Sequence, residues 1–326
     1  MPVNSVALFA TVLNPVIEAG SEPSLTYGRS GRLQLYYTNP EGAIVLRTVG
    51  SIGVLSWRTP ADTVGADGVV FTGNQDGWDK RVGDADVIAV GDELWMLYTG
   101  YDPADETPTL PASRQIGLAI SADNGRSFVR HSSSLDGPLI GLSADSESPW
   151  RDSLRAPSIE IVDGMFHLTF SGWNRTIDAD RPQIIGATSA DGVAWDYLAD
   201  PLLTPLASWA VDIQQADLHY DSEEANWHLV YANGYGIGAV RASAFTGPYT
   251  QPALPLGGSG LFPLDGTFFG AEAPTWLPGT LMSPTAVIGD ATLLPDTDRA
   301  LLILFGAQRE GSPETSIGAL ERGLTF

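Results

Sequence analysis

Apolar and polar residues alternate in short runs along the chain, and clusters of Gly, Asn and Asp separate the runs. Two types of run alternate along the chain. One is small and apolar and lies near a Pro or an Ala-Asp pair, as at residues 156–159; the other is rich in aromatic residues, as at residues 94–98. Alternation bounded by turn residues predicts β-strands, and no convincing amphipathic helix pattern is present. The pattern therefore predicts an all-β protein.

A longer phrase repeats at intervals of several tens of residues. Ile-Gly-Leu-Ala-Ile-Ser-Ala-Asp-Asn-Gly at 116–125 returns as Ile-Gly-Ala-Thr-Ser-Ala-Asp-Gly at 185–192, and weaker copies begin at Ile52, Ile237 and Ile317. Each unit reads as a small apolar strand, an aromatic strand, the Ile-Gly strand and a fourth strand. Five units of four antiparallel strands predict a five-bladed β-propeller. We expect residues 1–326 to form one domain, with first strands beginning near residues 22, 84, 156, 216 and 273.

The two ends of the chain fit together in this scheme. The fifth unit stops after its third strand, at residues 317–326, whereas residues 8–11 have the pattern of a fourth strand. We therefore expect the N-terminus to supply the outer strand of the last blade, which removes an open sheet edge.

The composition of the chain limits the classes of partner that it can bind. The chain has 39 acidic and 17 basic residues among 326, a formal net charge of −22. Such a field repels nucleic acid and anionic membranes and is compatible with neutral substrates. There is no Cys, no visible signal peptide and no apolar run long enough to span a membrane. We expect a soluble monomer, either cytoplasmic or secreted with a leader removed, that binds a saccharide or another small molecule.

Two phrases resemble the five-bladed propeller glycoside hydrolases of families 43 and 32. They are Ala-Pro-Ser-Ile-Glu-Ile-Val-Asp-Gly-Met-Phe-His-Leu at 156–168 and the Ile-Gly phrase with its Ser-Ala-Asp-Gly turn. The resemblance covers essentially the whole chain. It implies an enzyme that hydrolyses glycosidic bonds of a neutral oligo- or polysaccharide, and it leaves the sugar and the linkage open. The turn itself also looks like a sialidase motif, where it is structural, and we expect a structural role here.

Candidate catalytic residues lie where the first strands begin, because these strands line the axis of a propeller. Glycoside hydrolysis needs two carboxyl groups, one to protonate the leaving oxygen and one to activate water or attack carbon. We predict that Glu22, Asp84 and Glu272 form this cluster, with Glu272 as acid and Asp84 or Glu22 as base. In the resembling families the blade-one group is an Asp, and the acid is a Glu two residues before the blade-three Pro. Arg155 stands there in this chain, and an Arg cannot donate a proton usefully at neutral pH.

Further residues are predicted to bind substrate around this cluster. Arg155 suits a hydroxyl or a carboxylate, and aromatic faces suit the C–H surfaces of sugars. The predicted set is Asp86, Arg155, Gln215, Asp217, Trp78, Trp150, Trp173, Trp209 and Arg175. A structural alternative stays open for the carboxylates, as buried groups that cap strand starts, and for the Trp residues, as core.

The spacing of the four His residues indicates no zinc site. Some of the resembling enzymes hold a calcium ion at the axis, so the resemblance implies a calcium site here, although no EF-hand spacing is present. Otherwise we expect no cofactor. Two functional alternatives also remain. The Arg at the expected blade-three Glu favours a propeller that binds carbohydrate without cleaving it. The apolar loops favour an axial site adapted to lyase, isomerase or cyclase chemistry on a small molecule.

Overall fold

The structure is a computed structural model that describes residues 9–11, 17, 19–49, 57–60, 63, 65–106, 112–145, 148–174, 182–204, 213–232, 236–249, 260–263, 279–290, 299–309 and 315–323. The described strands all pair antiparallel, and they form four four-stranded sheets and one five-stranded sheet. The chain is an all-β propeller whose blades are four-stranded antiparallel sheets. In the part of the chain that the structure describes, no helix is long and apolar enough to cross a membrane.

The first three sheets follow one another along the chain. The first contains β2 (Ser21–Tyr27), β3 (Leu33–Thr38), β4 (Ile44–Val49), β5 (Trp57–Arg58) and β6 (Val69–Phe71). The second contains β7 (Arg81–Val90), β8 (Glu93–Tyr101), β9 (Gln115–Ser121) and β10 (Val129–Arg130). The third contains β11 (Ser153–Val162), β12 (Met165–Trp173), β13 (Gln183–Ser189) and β14 (Asp196–Tyr197).

Two sheets complete the molecule. The fourth contains β15 (Gln214–Asp221), β16 (Asn226–Ala232), β17 (Gly236–Ala242) and β18 (Gly260–Pro263). The fifth contains β19 (Gly279–Asp290), β20 (Arg299–Arg309), β21 (Thr315–Gly323) and the N-terminal β1 (Phe9–Thr11). The pairing of β1 with β21 agrees with the outer-strand role predicted for the N-terminus.

The fifth unit corrects one prediction. Its first strand was expected at residues 273–276, which lie outside the described residues, whereas the innermost strand of the fifth sheet is β19. The register of β19 against β20 shifts between Met282 and Thr285, as the register of β2 against β3 shifts between Ser21 and Ser24. Ser283-Pro284-Thr285 therefore occupies the place of Glu22-Pro23-Ser24.

Apolar side chains pack between neighbouring sheets. Tyr36 and Ile44 of the first sheet share one buried cluster with Met96 of the second, and Leu97 of the second sheet shares another with Leu168 of the third. Full burial of such side chains contributes about 2–3 kcal/mol each. The aromatic second strands supply much of this core, which fixes the inner strands around the axis.

The repeated Ser-Ala-Asp phrase forms turns. Ser121 Oγ donates to Asp123 Oδ1 at 2.7 Å and accepts from the Gly125 amide at 2.8 Å. The second copy repeats the arrangement, because Ser189 Oγ donates to Asp191 at 3.0 Å and accepts from Gly192. These bonds satisfy the turn backbone, so the phrase has the structural role that the sequence predicted.

Candidate functional site at the axis

The inner strands share a bulge near their first residues. Register shifts place one bulge at each of Glu22, Asp84, Ala156 and Gln215. All four residues have positive φ angles, of 55°, 43°, 51° and 55°. Such angles are uncommon for residues other than Gly and cost roughly 1–2 kcal/mol each. Bulges re-aim side chains, and strained backbone clusters at functional sites. The same device recurring in four strands directs one side chain from each toward the axis.

These side chains line an axial cavity. Three consecutive residues from each of the four strands surround a space of about 310 Å³ that opens to solvent, and they begin at Glu22, Asp84, Ala156 and Gln215. Two carboxyl groups, one amide and one methyl group thus stand at the same level. The structure brings together two of the three predicted catalytic residues, Glu22 and Asp84. Glu272, the third, lies outside the described residues.

Glu22 is held against the neighbouring blade. Its Oε2 accepts a hydrogen bond from Thr38 Oγ1 at 2.7 Å and another from the Asp84 amide at 2.8 Å. Burial, and next the negative charge of Asp84, raise the pKa of Glu22 from 4.5 to about 7, although both hydrogen bonds and the more distant Arg114 oppose the shift. Glu22 is therefore protonated in a large share of molecules near neutral pH.

Asp84 is buried and has a partner on the fourth sheet. Gln215 Nε2 donates to Asp84 Oδ1 at 3.1 Å, and the Gln215 amide donates to Ser171 Oγ at 3.0 Å. The amide side chain thus orients the Asp84 carboxylate across the axis. Gln215 was predicted to bind substrate; the structure gives it this positioning contact.

Second-strand hydroxyl groups support the ring of bulges. Thr99 Oγ1 accepts from the Ala156 amide at 3.0 Å, and Ser171 Oγ accepts from the Gln215 amide in the same way. At the boundary between the first and second sheets, the second-strand hydroxyl does not bond the bulge amide directly. The Glu22 carboxylate bridges the two, since it accepts from both the Thr38 hydroxyl and the Asp84 amide. Thr38 was not predicted; the pairing of β2 with β3, which sets Ser21 opposite Thr38, brings it to the site.

A second layer of polar groups lies two residues further along the strands. Asp86 accepts from Ser24 Oγ and from the Ile159 amide, both at 2.8 Å, and Ser158 Oγ donates to Asp217 at 3.1 Å. Burial raises the pKa of Asp86 to about 6 despite these hydrogen bonds. Both carboxylates were predicted to bind substrate. They line the axial cavity and also tie adjacent strands together, so the predicted role stays a prediction.

A second cavity lies beside the axis; together with its mouth, which is open to solvent, it spans about 410 Å³. Of the predicted binding residues it contains Arg155 and Trp173. Its other described lining residues are Ala112, Arg114, Ser153, Ser171 and Pro182. Arg114 was not predicted, since nothing in the sequence before β9 marks it as close to a first strand of another blade.

The remaining predicted aromatic residues separate into two groups. Trp78 stacks on Tyr98 at 6.1 Å between ring centroids, and Trp150 packs edge-on against Phe170 at 5.9 Å. Neither lines the two cavities described above. Trp209 and Arg175 lie outside the described residues, so their predicted roles stay predictions.

Within the described ranges, one group has the spacing of metal ligands: Asp221, Glu224 and His228, at the turn between β15 and β16. Asp221 Oδ1 accepts from the Glu223 and Glu224 amides, and Glu224 lies 3.6 Å from Arg241. These contacts serve the turn, which is remote from the axial cavity.

The axial oxygens offer a poor fit to calcium. Ca²⁺ takes about 6–8 oxygen ligands, whereas Glu22 Oε2, Asp84 Oδ1 and both Asp86 oxygens already accept hydrogen bonds from the protein. We therefore derive no step that uses a metal ion.

No protein-family model and no curated protein matches the chain. Several solved structures share its fold. An endo-arabinase from Bacteroides thetaiotaomicron is 13% identical, with a TM-score of 0.61 over 97% of this chain and 98% of that one. An α-L-arabinofuranosidase from Lactobacillus brevis is 11% identical, with a TM-score of 0.61 over 94% and 92%.

The GH32 β-fructofuranosidase of Bombyx mori is 13% identical, with a TM-score of 0.63 over 97% of this chain and 62% of that one. The present chain thus spans less than two thirds of that enzyme, a variant of which is solved with sucrose. At these identities the likeness concerns the fold. It confirms, at that level, that the chain resembles the propeller glycoside hydrolases of families GH32 and GH43.

Proposed function

We propose that this protein is a glycoside hydrolase that cleaves a saccharide at the propeller axis with Glu22 and Asp84. The observation that carries the proposal is the paired geometry of these residues. Two carboxyl groups from adjacent blades line one solvent-open cavity, and the first has a pKa near 7 while Gln215 orients the second. Carboxyl pairs whose environments differ in this way divide acid and base roles between them.

The hydrogen bonds of the two carboxyl groups support Glu22 as the acid and Asp84 as the base or nucleophile. Both described hydrogen bonds of Glu22 end on Oε2, so a proton on Oε1 can point into the cavity. Glu22 would transfer that proton to the glycosidic oxygen as the bond to the anomeric carbon breaks. On one route Asp84 would take a proton from the water that attacks the anomeric carbon, and proton exchange with solvent would then restore both groups. On the other route Asp84 would attack the anomeric carbon and form a glycosyl ester. Glu22, now ionised, would deprotonate a water that attacks the same carbon, which breaks the ester bond, frees the Asp84 carboxylate and returns the proton to Glu22.

This assignment shifts the acid from Glu272, the acid predicted from sequence, to Glu22. The repeated strand pattern predicted Glu272-Ala273 at the position in the fifth unit that β19 gives to Ser283-Pro284. Glu272 stays a predicted member of the cluster, to be tested beside the other two.

A binding function without hydrolysis is the second candidate. The observation that favours it is the third blade, which contributes Ala156 to the axial ring and Arg155 beside it, with no carboxylate at the level of Glu22. A propeller that binds a saccharide without cleaving it would need no proton donor. Glu22 would then serve only to link two blades.

Turnover on a panel of nitrophenyl glycosides and plant or microbial oligosaccharides separates the two candidates. We expect hydrolysis by the native protein and a loss of about 10²–10⁴-fold in kcat for Glu22→Gln and Asp84→Asn. Glu41→Gln, at an exposed turn of the first sheet, is the matched control. Retained turnover in both axial variants, or saccharide binding without any hydrolysis, would refute the proposal.

We also propose that the five sheets form one closed ring of five blades and one domain. The supporting contacts run from inner strand to inner strand: β2 lies against β7, β7 against β11, β11 against β15, β15 against β19, and β19 against β2. The pairing of β1 with β21 would join the chain ends within one blade. A single cooperative unfolding transition by two spectroscopic probes would support one domain.

A further inference from the structure

The second strands of the first three sheets carry a hydroxyl side chain at the same register position, beside the bulge of the first strand: Thr38, Thr99 and Ser171. Thr99 and Ser171 each accept a hydrogen bond from the bulge amide of the following sheet. Thr38 differs, because the Glu22 carboxylate lies between it and the next bulge amide. An ionised carboxylate only accepts hydrogen bonds, so the Thr38 hydroxyl donates where its two counterparts accept.

The contact between Thr38 and Glu22 is enclosed by protein. Thr38 is buried, and its Oγ1 lies 2.7 Å from Glu22 Oε2. A Cβ at Gly83 would come within 3.2 Å of Thr38 Oγ1, so the backbone of the second sheet lies close against the hydroxyl group. Among the described residues, Glu22 is the one hydrogen-bond partner of this hydroxyl. If the hydroxyl turned round to accept from Glu22, its own proton would be buried without an acceptor, which is costly.

These contacts distinguish the two oxygens of Glu22. Oε2 receives the Thr38 hydroxyl and the Asp84 amide, and a backbone amide can never act as the acceptor. A proton on Oε2 would therefore have to displace a donor or reverse the Thr38 hydroxyl. Oε1 receives no hydrogen bond from the part of the chain that the structure describes, and Glu22 lines the axial cavity. Oε1 is thus the oxygen that can hold a proton at no cost to the existing bonds.

We propose that Thr38 is a positioning residue for the acid: its hydroxyl group engages Oε2 of Glu22 and thereby holds the carboxyl group with its proton on Oε1, toward the axial cavity. The use of that proton in catalysis rests on the proposed function, whereas the orientation of the carboxyl group does not. A merely structural Thr38 would link strands as Thr99 does, without any effect on the protonation of Glu22.

The native protein tests where the proton lies. At about pH 6, below the pKa of Glu22, the infrared difference between the native protein and Glu22→Gln isolates the C=O stretch of the protonated carboxyl group. With the proton on Oε1, the carbonyl oxygen is Oε2, which accepts two hydrogen bonds. Each accepted hydrogen bond lowers the stretching frequency, so we expect a band well below that of an unbonded carboxylic acid. A band at the unbonded frequency would place the proton on Oε2 and overturn the inference.

Variants test the hydroxyl group without any need for turnover. Glu22 is titrated by carbon NMR of its side-chain carboxyl group, which is assigned by its absence from Glu22→Gln. Thr38→Val removes the hydroxyl at nearly constant volume. We expect the pKa of Glu22 to rise by about one pH unit, the effect of one lost hydrogen bond to a charged group. Thr38→Ser keeps the hydroxyl and should titrate as the native protein does. An unchanged titration in Thr38→Val would refute the positioning role.

Thr99→Val is the matched control. It removes the same group at the equivalent position of the second sheet, where the hydroxyl accepts from the Ala156 amide. We expect Thr99→Val to lower stability, because it leaves a buried amide without its acceptor, and to leave the titration of Glu22 unchanged. An equal shift in both Val variants would trace the effect to a general loosening of the blades and would count against Thr38.

Turnover measures the catalytic consequence. Thr38→Val should lower kcat about tenfold, because the carboxyl group loses one of two bonds that hold it. KM should stay unchanged, because Thr38 is not among the described residues that line the axial cavity. The alkaline limb should move to higher pH with the titration of Glu22, and Thr38→Ser should restore both kcat and the limb. A raised KM with an unmoved limb would contradict the positioning role.

The inference and the proposed function fail separately. A raised pKa of Glu22 in Thr38→Val alone, in a protein that hydrolyses nothing, would support the positioning role and refute the glycosidase. Hydrolysis by a native protein whose Glu22 titrates as it does in Thr38→Val would support the glycosidase and refute the role of Thr38. If Thr38→Val does not fold, the infrared band of the native protein decides.

Discussion

The carboxylate of Glu22 accepts a hydrogen bond from the backbone amide of Asp84, at 2.8 Å across the boundary between two blades. One residue thereby places the other: the bond fixes the bulge that directs the Asp84 side chain, and the charge of Asp84 helps to keep a proton on Glu22. The geometry of the two carboxyl groups and the protonation state of Glu22 are therefore coupled through a single contact.

Activity should fall as pH rises through the pKa of Glu22, about 7. An acid catalyst works only in its protonated form, so kcat should decline on the alkaline side of the profile. Glu22→Gln should lose most activity, and its residual rate should lack that alkaline decline. A pH–rate profile of both proteins on one chromogenic glycoside measures this. An alkaline limb that is unchanged in the variant would assign the limb, and the acid, to another residue such as Glu272.

Stability should also depend on Glu22 between about pH 5 and pH 8. The folded pKa is raised above the ordinary value of 4.5, so between the two values the unfolded chain releases a proton that the folded protein keeps. The free energy of unfolding must then decrease as pH rises through this window, by about 2 kcal/mol from this group.

Glu22→Gln removes this contribution while keeping an oxygen that can accept from Thr38 and Asp84. Urea unfolding of both proteins at several pH values should show the native protein losing stability relative to the variant as pH rises. Asp86, whose pKa is also raised, is present in both and cancels in the difference. A difference that does not change with pH would show that Glu22 titrates normally.

Gly83 should be essential for the placement of Glu22. A Cβ at this position would lie 2.7 Å from Glu22 Oε2 and 3.2 Å from Thr38 Oγ1, both too close. Gly83→Ala should displace the carboxylate and lower kcat by about a hundredfold, the effect of a displacement near 1 Å in an active site. Gly137→Ala, where a Cβ would meet nothing within 4 Å, is the control. Full activity of Gly83→Ala would mean that the Glu22 position is not critical.

The sequence predicted much of this arrangement because it repeats. The strand types, the four-stranded blades and the axial positions of Glu22 and Asp84 follow from patterns that recur in each unit. The fifth unit was misplaced because Ala-Pro-Thr at 273–275 and Ser-Pro-Thr at 283–285 carry the same pattern. Strand register distinguishes them, and register depends on pairing with β20, which no single strand encodes.

Two residues that affect the pKa of Glu22 were not predicted. Thr38 reaches Glu22 through the pairing of β2 with β3, which requires the register of the two strands. Arg114 comes from the second sheet, so its approach depends on how two blades pack. Trp78 was predicted from its loop position to bind sugar, with a core role left open. Its ring stacks on Tyr98 and its Nε1 donates to the Ser134 carbonyl at 3.3 Å, contacts that a core residue also makes, so the binding role stays a prediction.

Removal of calcium should leave the protein unchanged. One oxygen each of Glu22 and Asp84 and both oxygens of Asp86 already accept hydrogen bonds from protein donors, those of Asp86 from Ser24, Val87 and Ile159. Dialysis against a chelator should therefore shift neither the melting temperature nor turnover, and added Ca²⁺ should restore nothing. A lower melting temperature after chelation, reversed by Ca²⁺ alone, would contradict this expectation. It would support the axial calcium ion that the resemblance implied.

Ala156 should be a site where stability can be gained without loss of function. Its φ of 51° lies in the left-handed region, where a Cβ costs roughly 1–2 kcal/mol and Gly is free of that cost. Ala156 contributes only a methyl group to the axial ring, so Ala156→Gly should raise the free energy of unfolding by about 1 kcal/mol and leave kcat unchanged. Ala119→Gly, in the fully buried interior of β9, should instead destabilise. If Ala156→Gly destabilised the protein as much as the control, the positive φ at this bulge would not be a source of strain, and the argument that the four bulges hold strained residues at the axis would fail with it.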